Sequence, residues 1–291
     1  MRRDLLPQAG VSTRTGTYDG PSGRNVHDLL ELAITTAGAA GTMLIDKRPA
    51  DLRVAHTKSS PTDVVTEMDQ AAERLIIDRI RASRPADAFL GEESGAAAGA
   101  SGVRWIIDPI DGTVNYLYGL PDWAVSIAAE VDGEVVAGVV AVPTRGELYT
   151  AARGEGAYLV RRDGSTEKLQ CNAGVPLERA LIATGFGYSA QRRAHQAEVL
   201  LGVLPRVRDI RRAGSAAVDL CSVAAGRVDG YFERGPHEWD IAAGGLIVRE
   251  AGGSIGGLNG RPASVEMTIS AGPGLYEALH DLLVPLSPER D

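Results

Sequence analysis

Asp108 and Asp111 stand in the stretch from Arg104 to Tyr116, Arg-Trp-Ile-Ile-Asp-Pro-Ile-Asp-Gly-Thr-Val-Asn-Tyr, which continues the apolar run of Val103, Trp105, Ile106 and Ile107. If Pro109 and Gly112 stop the ladder there, a buried strand delivers two outward-facing carboxylates to a loop. Hard anionic ligands at that spacing, with the Ile110 carbonyl between them, suit an oxygen-seeking divalent cation such as Mg²⁺, and Asp108 could bridge two such ions. Gly112 permits close backbone approach, so the amides of Gly112 and Thr113 could meet a phosphate. The same string also reads as an acidic Pro/Gly turn with solvated aspartates, and alone it leaves both readings open.

Further acids lie at remote points. Gly91-Glu92-Glu93-Ser94 follows the strand end Phe89-Leu90. It reads as a surface acidic turn, or as a site in which Glu92 returns to Asp108 through a hairpin over the small-residue linker 95–102. Asp69 falls near the first turn of a helix, where carboxylates serve as caps. Glu233 ends a strand, and Trp239-Asp240 opens a helix in which Asp240 caps or holds a metal. Gly214-Ser215-Ala216-Ala217 opens another helix with bare amides, suited to an anionic or hydroxylated ligand or to tight packing.

Positioning these acids takes a layered framework. Apolar residues at helical spacing predict a helix from Val26 to about Ile45 and a second through about Ala82, with an exposed polar loop at 55–63 between them. Apolar segments at 124–131, 135–142, 147–152 and 157–160 with short turns predict an antiparallel meander. Beyond about residue 166, strands at 180–184, 208–212, 228–233 and 266–270 alternate with helices at 190–204, 215–226, 240–251 and 273–283. The expected division is a flexible extension 1–22, an N-terminal α+β half 23–165 with the metal motifs, and a C-terminal α/β half 166–291. A cleft between the halves is the expected site for a small ligand.

Composition narrows the classes. The 291 residues are 44% hydrophobic and carry a net charge of −8, which suits a globular chain and argues against a surface built mainly for nucleic acid. Cys171 and Cys221 lack C-x-x-C spacing and read as buried thiols in a reducing compartment. Asp4, Pro7 and Gln8 interrupt any export signal after Met1-Arg2-Arg3, and no long apolar span follows, so a cytoplasmic location is expected.

Taken together, the motifs resemble the inositol monophosphatase family of Mg²⁺-dependent, lithium-sensitive phosphatases, and its bacterial SuhB-type branch in particular. The similarity runs from about Val26 to His280. It is carried by Lys58-Ser59-Ser60-Pro61 with Asp69, Gly91 to Ser94, Trp105 to Tyr116, Gly214 to Ala217, and Glu233 with Trp239-Asp240. The resemblance implies an αβαβα sandwich of mixed α/β (α+β) class, a homodimer, and two or three Mg²⁺ ions held by Glu92, Asp108, Asp111, Asp240 and the Ile110 carbonyl. It further implies that Thr113 and Asp69 orient the attacking water, with Glu92 counted among the catalytic residues. Gly112 and Thr113 would hold the phosphate, Ala216, Glu233 and Asp240 would face the substrate, and Lys58 would lie on a mobile loop. Val114-Asn115-Tyr116 after the Asp-Gly-Thr is similar to the inositol phosphatase pattern, where the histidinol phosphatase and adenosine bisphosphate phosphatase branches often carry Arg or Lys, so the resemblance favours myo-inositol 1-phosphate; the alternatives are fructose 1,6-bisphosphate, histidinol phosphate and adenosine 3′,5′-bisphosphate. A regulatory role in a transcription complex is the competing expectation, with the arginines of 206–212 as its basic cluster, and the overall charge disfavours it. Tyr116 and Asp219 depart from the family pattern without touching an expected ligand.

Overall fold

The computed structural model describes residues 25–49, 54–57 and 64–290; the expected extension 1–22 and Lys58 lie outside the described residues. The chain opens with α1 (Val26–Asp46), β1 (Val54–Thr57), β2 (Val64–Thr66) and α2 (Glu67–Ser83). Next come β3 (Ala88–Gly91), β4 (Gly95–Ala97), β5 (Val103–Asp111) and the short α3 (Thr113–Tyr118). The meander follows as β6 (Ala124–Val131), β7 (Glu134–Val142), β8 (Glu147–Ala152), β9 (Gly156–Arg161) and β10 (Thr166–Lys168). The remainder is β11 (Leu181–Thr184), α4 (Ala190–Val203), β12 (Asp209–Arg211), α5 (Ala216–Ala224), β13 (Gly230–Glu233), α6 (Glu238–Glu250), β14 (Ser254–Gly256), β15 (Thr268–Ala271) and α7 (Tyr276–Leu283).

Alternation along the strands dictates the layers. An eight-stranded sheet in the order β10-β9-β8-β7-β6-β5-β3-β4 turns Trp105, Ile107, Val139 and Ala141 toward α1 and α2. Ile106, Val140 and Val142 point the opposite way, into a core shared with α5 and α6. That core also receives Ala183 and Tyr231 from a five-stranded sheet, β12-β11-β13-β15-β14. Ile182, Phe232 and Ile269, on the other face of the smaller sheet, pack against Val199 and Val203 of α4 and Leu279 and Leu283 of α7. Because side chains of period two leave both faces of each sheet apolar, both must be covered, and the result is the αβαβα sandwich.

Helix α1 is long and apolar enough to cross a membrane by length and composition. Its Leu29, Ala33, Ala37, Ala40 and Leu44 are nevertheless wholly buried in the core against the large sheet.

Several expectations are corrected. Residues 54–57 form a strand paired antiparallel with β2, where a loop was expected from residue 55. No hairpin joins β3 to β5: they pair in parallel, Gly91 opposite Ile107, and the intervening β4 folds back antiparallel along the outer edge of β3. A parallel register puts the C-terminal ends of β3 and β5, and so Glu92 and Asp108, at the same edge of the sheet. Strand β5 also runs past Pro109 to Asp111, with a register shift between Asp108 and Asp111, and both aspartates are buried. Among the smaller elements, β14 was not expected at all; a three-residue edge strand has too few residues to show a period.

Candidate active site

The register shift in β5 turns both aspartates to one place. Asp108 pairs with Ser126 on β6 and Asp111 with Ala124, so an additional residue is accommodated between them, which kinks the strand and re-aims its side chains. The Ile110 amide donates to Asp108 Oδ1 at 2.9 Å, which holds the turn shut. Gly112 follows with φ 95°, where a side chain would sit 3.0 Å from the Asp122 carbonyl and 3.1 Å from the Gly214 carbonyl. The chain therefore needs glycine there to start α3 directly behind the aspartates.

Asp240 arrives from the smaller half of the sandwich, on the first turn of α6. Its Oδ2 accepts the His237 amide at 2.5 Å, so it does cap the helix. Capping and ligation are compatible, because oxygens of Asp108, Asp111 and Asp240 lie within 4.8 Å of one another. Burial and mutual repulsion push Asp108 and Asp240 well above the usual carboxylate range, and a hydrogen bond links the pair. Asp111 is pushed up to about 6, by burial first, with hydrogen bonds from Ala217, Ser215 and Ala216 opposing. Converging carboxylates, two buried and one half-buried, repel unless a positive charge joins them, so this all-oxygen donor set fits a hard divalent cation. Glu92 stands outside the 4.8 Å group but contributes charge to it, raising Asp69, Asp108, Asp111 and Asp240 alike.

Beside the cluster, Thr113 Oγ1 lies 3.0 Å from Asp69 Oδ1 and 3.1 Å from the Ile110 carbonyl. One hydroxyl hydrogen serves two acceptors, so occupation of the carbonyl by a cation would direct it to Asp69. Asp69 is the third residue of α2, and its Oδ2 accepts from the Thr66 amide at 2.8 Å and the Thr66 hydroxyl at 2.5 Å. Burial pushes Asp69 up to about 6, with the bonds from Thr66 and Thr113 pulling the other way.

Glu233 stands at the end of β13. It accepts from the Tyr231 hydroxyl at 2.8 Å, and burial, with the charge of Asp111 as a further cause, pushes it up to about 7.

The opening of α5 does not present bare amides, as its sequence suggested. Asp111 Oδ2 accepts from the Ala217 amide at 2.6 Å and the Ser215 hydroxyl at 2.7 Å, so the anion at this helix start is the protein's own aspartate. Ser215 was missed as a partner of Asp111. A serine before a helix signals only a cap, a role it also fills toward Val218 at 3.2 Å. Glu73 was missed as well: it is 2% exposed on the inner face of α2 and accepts from the amides of Glu93 and Ser94. A charged residue in the apolar register of Ala72, Ile76 and Ile80 was the available signal. Asp219, expected to touch nothing relevant, is buried on α5, and the charge of Glu233 adds to burial in pushing it well up. Tyr116 is structural: its hydroxyl donates to the Leu44 carbonyl at 2.8 Å and its ring meets Trp123 edge-on at 4.9 Å.

These shifts set a pH dependence for the cation-free protein. Asp69 and Asp111 titrate near 6 when folded against 3.8 ordinarily, so the folded state holds protons that the unfolded state has already released. Their stabilising contribution is complete below the ordinary value and lost as pH rises through 6, on the order of 3 kcal/mol for Asp69. In chelator, the melting midpoint should fall between about pH 4 and about pH 7 by less in Asp69→Asn than in the parent, and Mg²⁺ should raise it more at the higher pH. Equal pH slopes in differential scanning calorimetry would remove Asp69 as a contributor.

The chain is similar to known proteins over most of its length. The sequence profile of the inositol monophosphatase family matches residues 25–290. An inositol-1-monophosphatase of Mycobacterium leprae is 48% identical over 229 residues, covering 76% of this chain and 78% of the relative. A protein of Escherichia coli strain K12 named Nus factor SuhB is 43% identical over 239 residues, covering 81% and 87%. The solved structure of Mycobacterium tuberculosis SuhB superposes with a TM-score of 0.79 at 41% identity, covering 92% of this chain and 100% of that one.

Proposed function

The chain belongs to the inositol monophosphatase family, and on that premise we propose that it is a Mg²⁺-dependent phosphomonoesterase that converts myo-inositol 1-phosphate and related inositol monophosphates to inositol and phosphate. The observation that carries this reading is the convergence of Asp108, Asp111 and Asp240 beside the hydrogen-bonded Thr113 and Asp69. Asp108, Asp111, Asp240, Glu92 and the Ile110 carbonyl would hold two or three Mg²⁺ ions, which would supply charge neutralisation for the phosphate and its leaving alkoxide and a lowered pKa for the attacking water.

The chain's own groups do the rest. Thr113 Oγ1 donates its hydrogen to Asp69 Oδ1 and accepts one from the water, so the pair orients the nucleophile and takes up its proton. The amides of Gly112 and Thr113 receive phosphate oxygens. Glu233 accepts from an inositol hydroxyl, Ala216 leaves room for the ring, and Asp240 serves both cation and substrate. Lys58, outside the described residues, and a homodimeric assembly belong to the same reading.

Phosphate release tests this across inositol 1-phosphate, fructose 1,6-bisphosphate, histidinol phosphate and adenosine 3′,5′-bisphosphate. The expected result is the highest kcat/KM on inositol 1-phosphate, activity lost in chelator and restored by Mg²⁺, and inhibition by lithium. Preference for another ester would overturn the substrate, and activity indifferent to chelator would overturn the chemistry.

A second reading is supported by the name Nus factor carried by the Escherichia coli relative. Binding a transcription partner places no demand on the buried acids, so it would survive Asp108→Asn.

A further inference from the structure

Glu73 has no place in the chemistry above, yet a carboxylate is buried only where something requires it. Its Oε2 accepts from the Glu93 amide at 2.9 Å and its Oε1 from the Ser94 amide at 2.8 Å. Two coplanar oxygens meet two successive N–H groups, a fit that an amide or hydroxyl side chain cannot reproduce because neither offers two equivalent acceptors. The approach depends on Gly91, where an added Cβ would lie 2.5 Å from Oε2, 2.6 Å from Cδ and 2.8 Å from Oε1 of Glu73.

Glu92 sits between Gly91 and these two amides. Its own amide donates to the Ile107 carbonyl at 3.2 Å, which extends the parallel ladder of β3 and β5 by one step. The backbone of Glu92 is therefore fixed on its N-terminal side by β5 and on its C-terminal side by Glu73. The Glu92 carboxylate is close enough for repulsion from it to push up Asp108, Asp111 and Asp240. Glu73 starts from the same helix as Asp69, one turn further on, so α2 supports the site at both Asp69 and Glu92.

We propose that Glu73 is a positioning residue for the cation site: it acts through the 92–94 turn to hold the Glu92 carboxylate against the aspartates, and Gly91 is the space that allows it. The inference rests on the reading of Glu92 as a cation ligand. Neither Glu73 nor Gly91 is among the residues assigned to substrate or cation.

Calorimetric titration of Mg²⁺ into the substrate-free protein tests it with Glu73→Gln and Gly91→Ala. The first removes one acceptor and opposes an NH₂ group to a backbone N–H; the second keeps the charge and displaces it. Both should raise the Mg²⁺ dissociation constant about ten- to a hundredfold, while kcat at saturating Mg²⁺ stays within about threefold of the parent. A merely structural role would lower the melting midpoint and leave the Mg²⁺ constant of the folded protein unchanged. Unchanged titrations in the variants, while the parent binds Mg²⁺, would overturn the inference alone; a parent that neither binds Mg²⁺ nor releases phosphate would overturn the proposed function instead. Should Glu73→Gln fail to fold, Gly91→Ala decides by the same criterion, and failure of both to fold would make the contact architectural and end the proposal.

Discussion

Asp108→Asn should lower kcat/KM for the proposed substrate, inositol 1-phosphate, by about 10³-fold, or about 4 kcal/mol of transition-state stabilisation, and leave the protein folded. The substitution removes a negative charge from the centre of the cluster while keeping its shape. Asparagine Oδ1 can still accept the Ile110 amide, which sits 2.9 Å from Asp108 Oδ1, and its NH₂ can donate to Asp240 in place of the present hydrogen bond. In chelator the variant should melt no lower than the parent, because burial and the charges of Glu92, Asp111 and Asp240 all disfavour an ionised Asp108. Lost activity with an unchanged or raised midpoint is the signature of a group kept for function at a cost in stability. Steady-state phosphate release beside calorimetry reads both, and full activity in the folded variant would sink the assignment.

Thr113→Ala and Asp69→Asn are expected to lower kcat about 10²- to 10⁴-fold at saturating Mg²⁺. Asp69 must be ionised to take up a proton through Thr113, so the rate of the parent should fall as pH drops through its titration. That limb lies at or below about 6, the value burial gives Asp69, since cations bound alongside favour the ionised form. Asp69→Asn should flatten the limb and leave the Mg²⁺ requirement nearly unchanged. The two substitutions are not additive, because they break one relay: the double variant should resemble the worse single one. A pH profile in which Asp69→Asn keeps the parental acid limb would assign it to another group.

The difference between what was legible in the chain and what was not has physical causes. Asp108 and Asp111 stood out because a strong apolar run ended on them with Pro and Gly at fixed offsets, all local signals. The meander of β6 to β9 was equally local, since its short turns permit only antiparallel neighbours. The pairing of β3 with β5 was not, because parallel register is set by how the layers cover each other, and β4 had to fold outward to allow it. Burial of the aspartates was missed because nothing local shows that α5 will close over Asp111 from a hundred residues away, with the Ala217 amide at 2.6 Å. Family resemblance supplied the roles of Asp69, Glu92 and Asp240, none of which their own surroundings in sequence distinguish from ordinary helix caps or turns. Glu73 showed only as a charge in the apolar register of α2; its partners are backbone amides, which every residue carries and which leave no mark in sequence.

Diffraction from crystals soaked in Mn²⁺ and recorded at its absorption edge addresses the central claim most directly. The expected result is anomalous density at coordination distance from Asp108, Asp111 and Asp240, with Glu92 drawn toward it. Crystals that bind Mn²⁺ only elsewhere, while the soaked enzyme still turns over inositol 1-phosphate, would contradict the account.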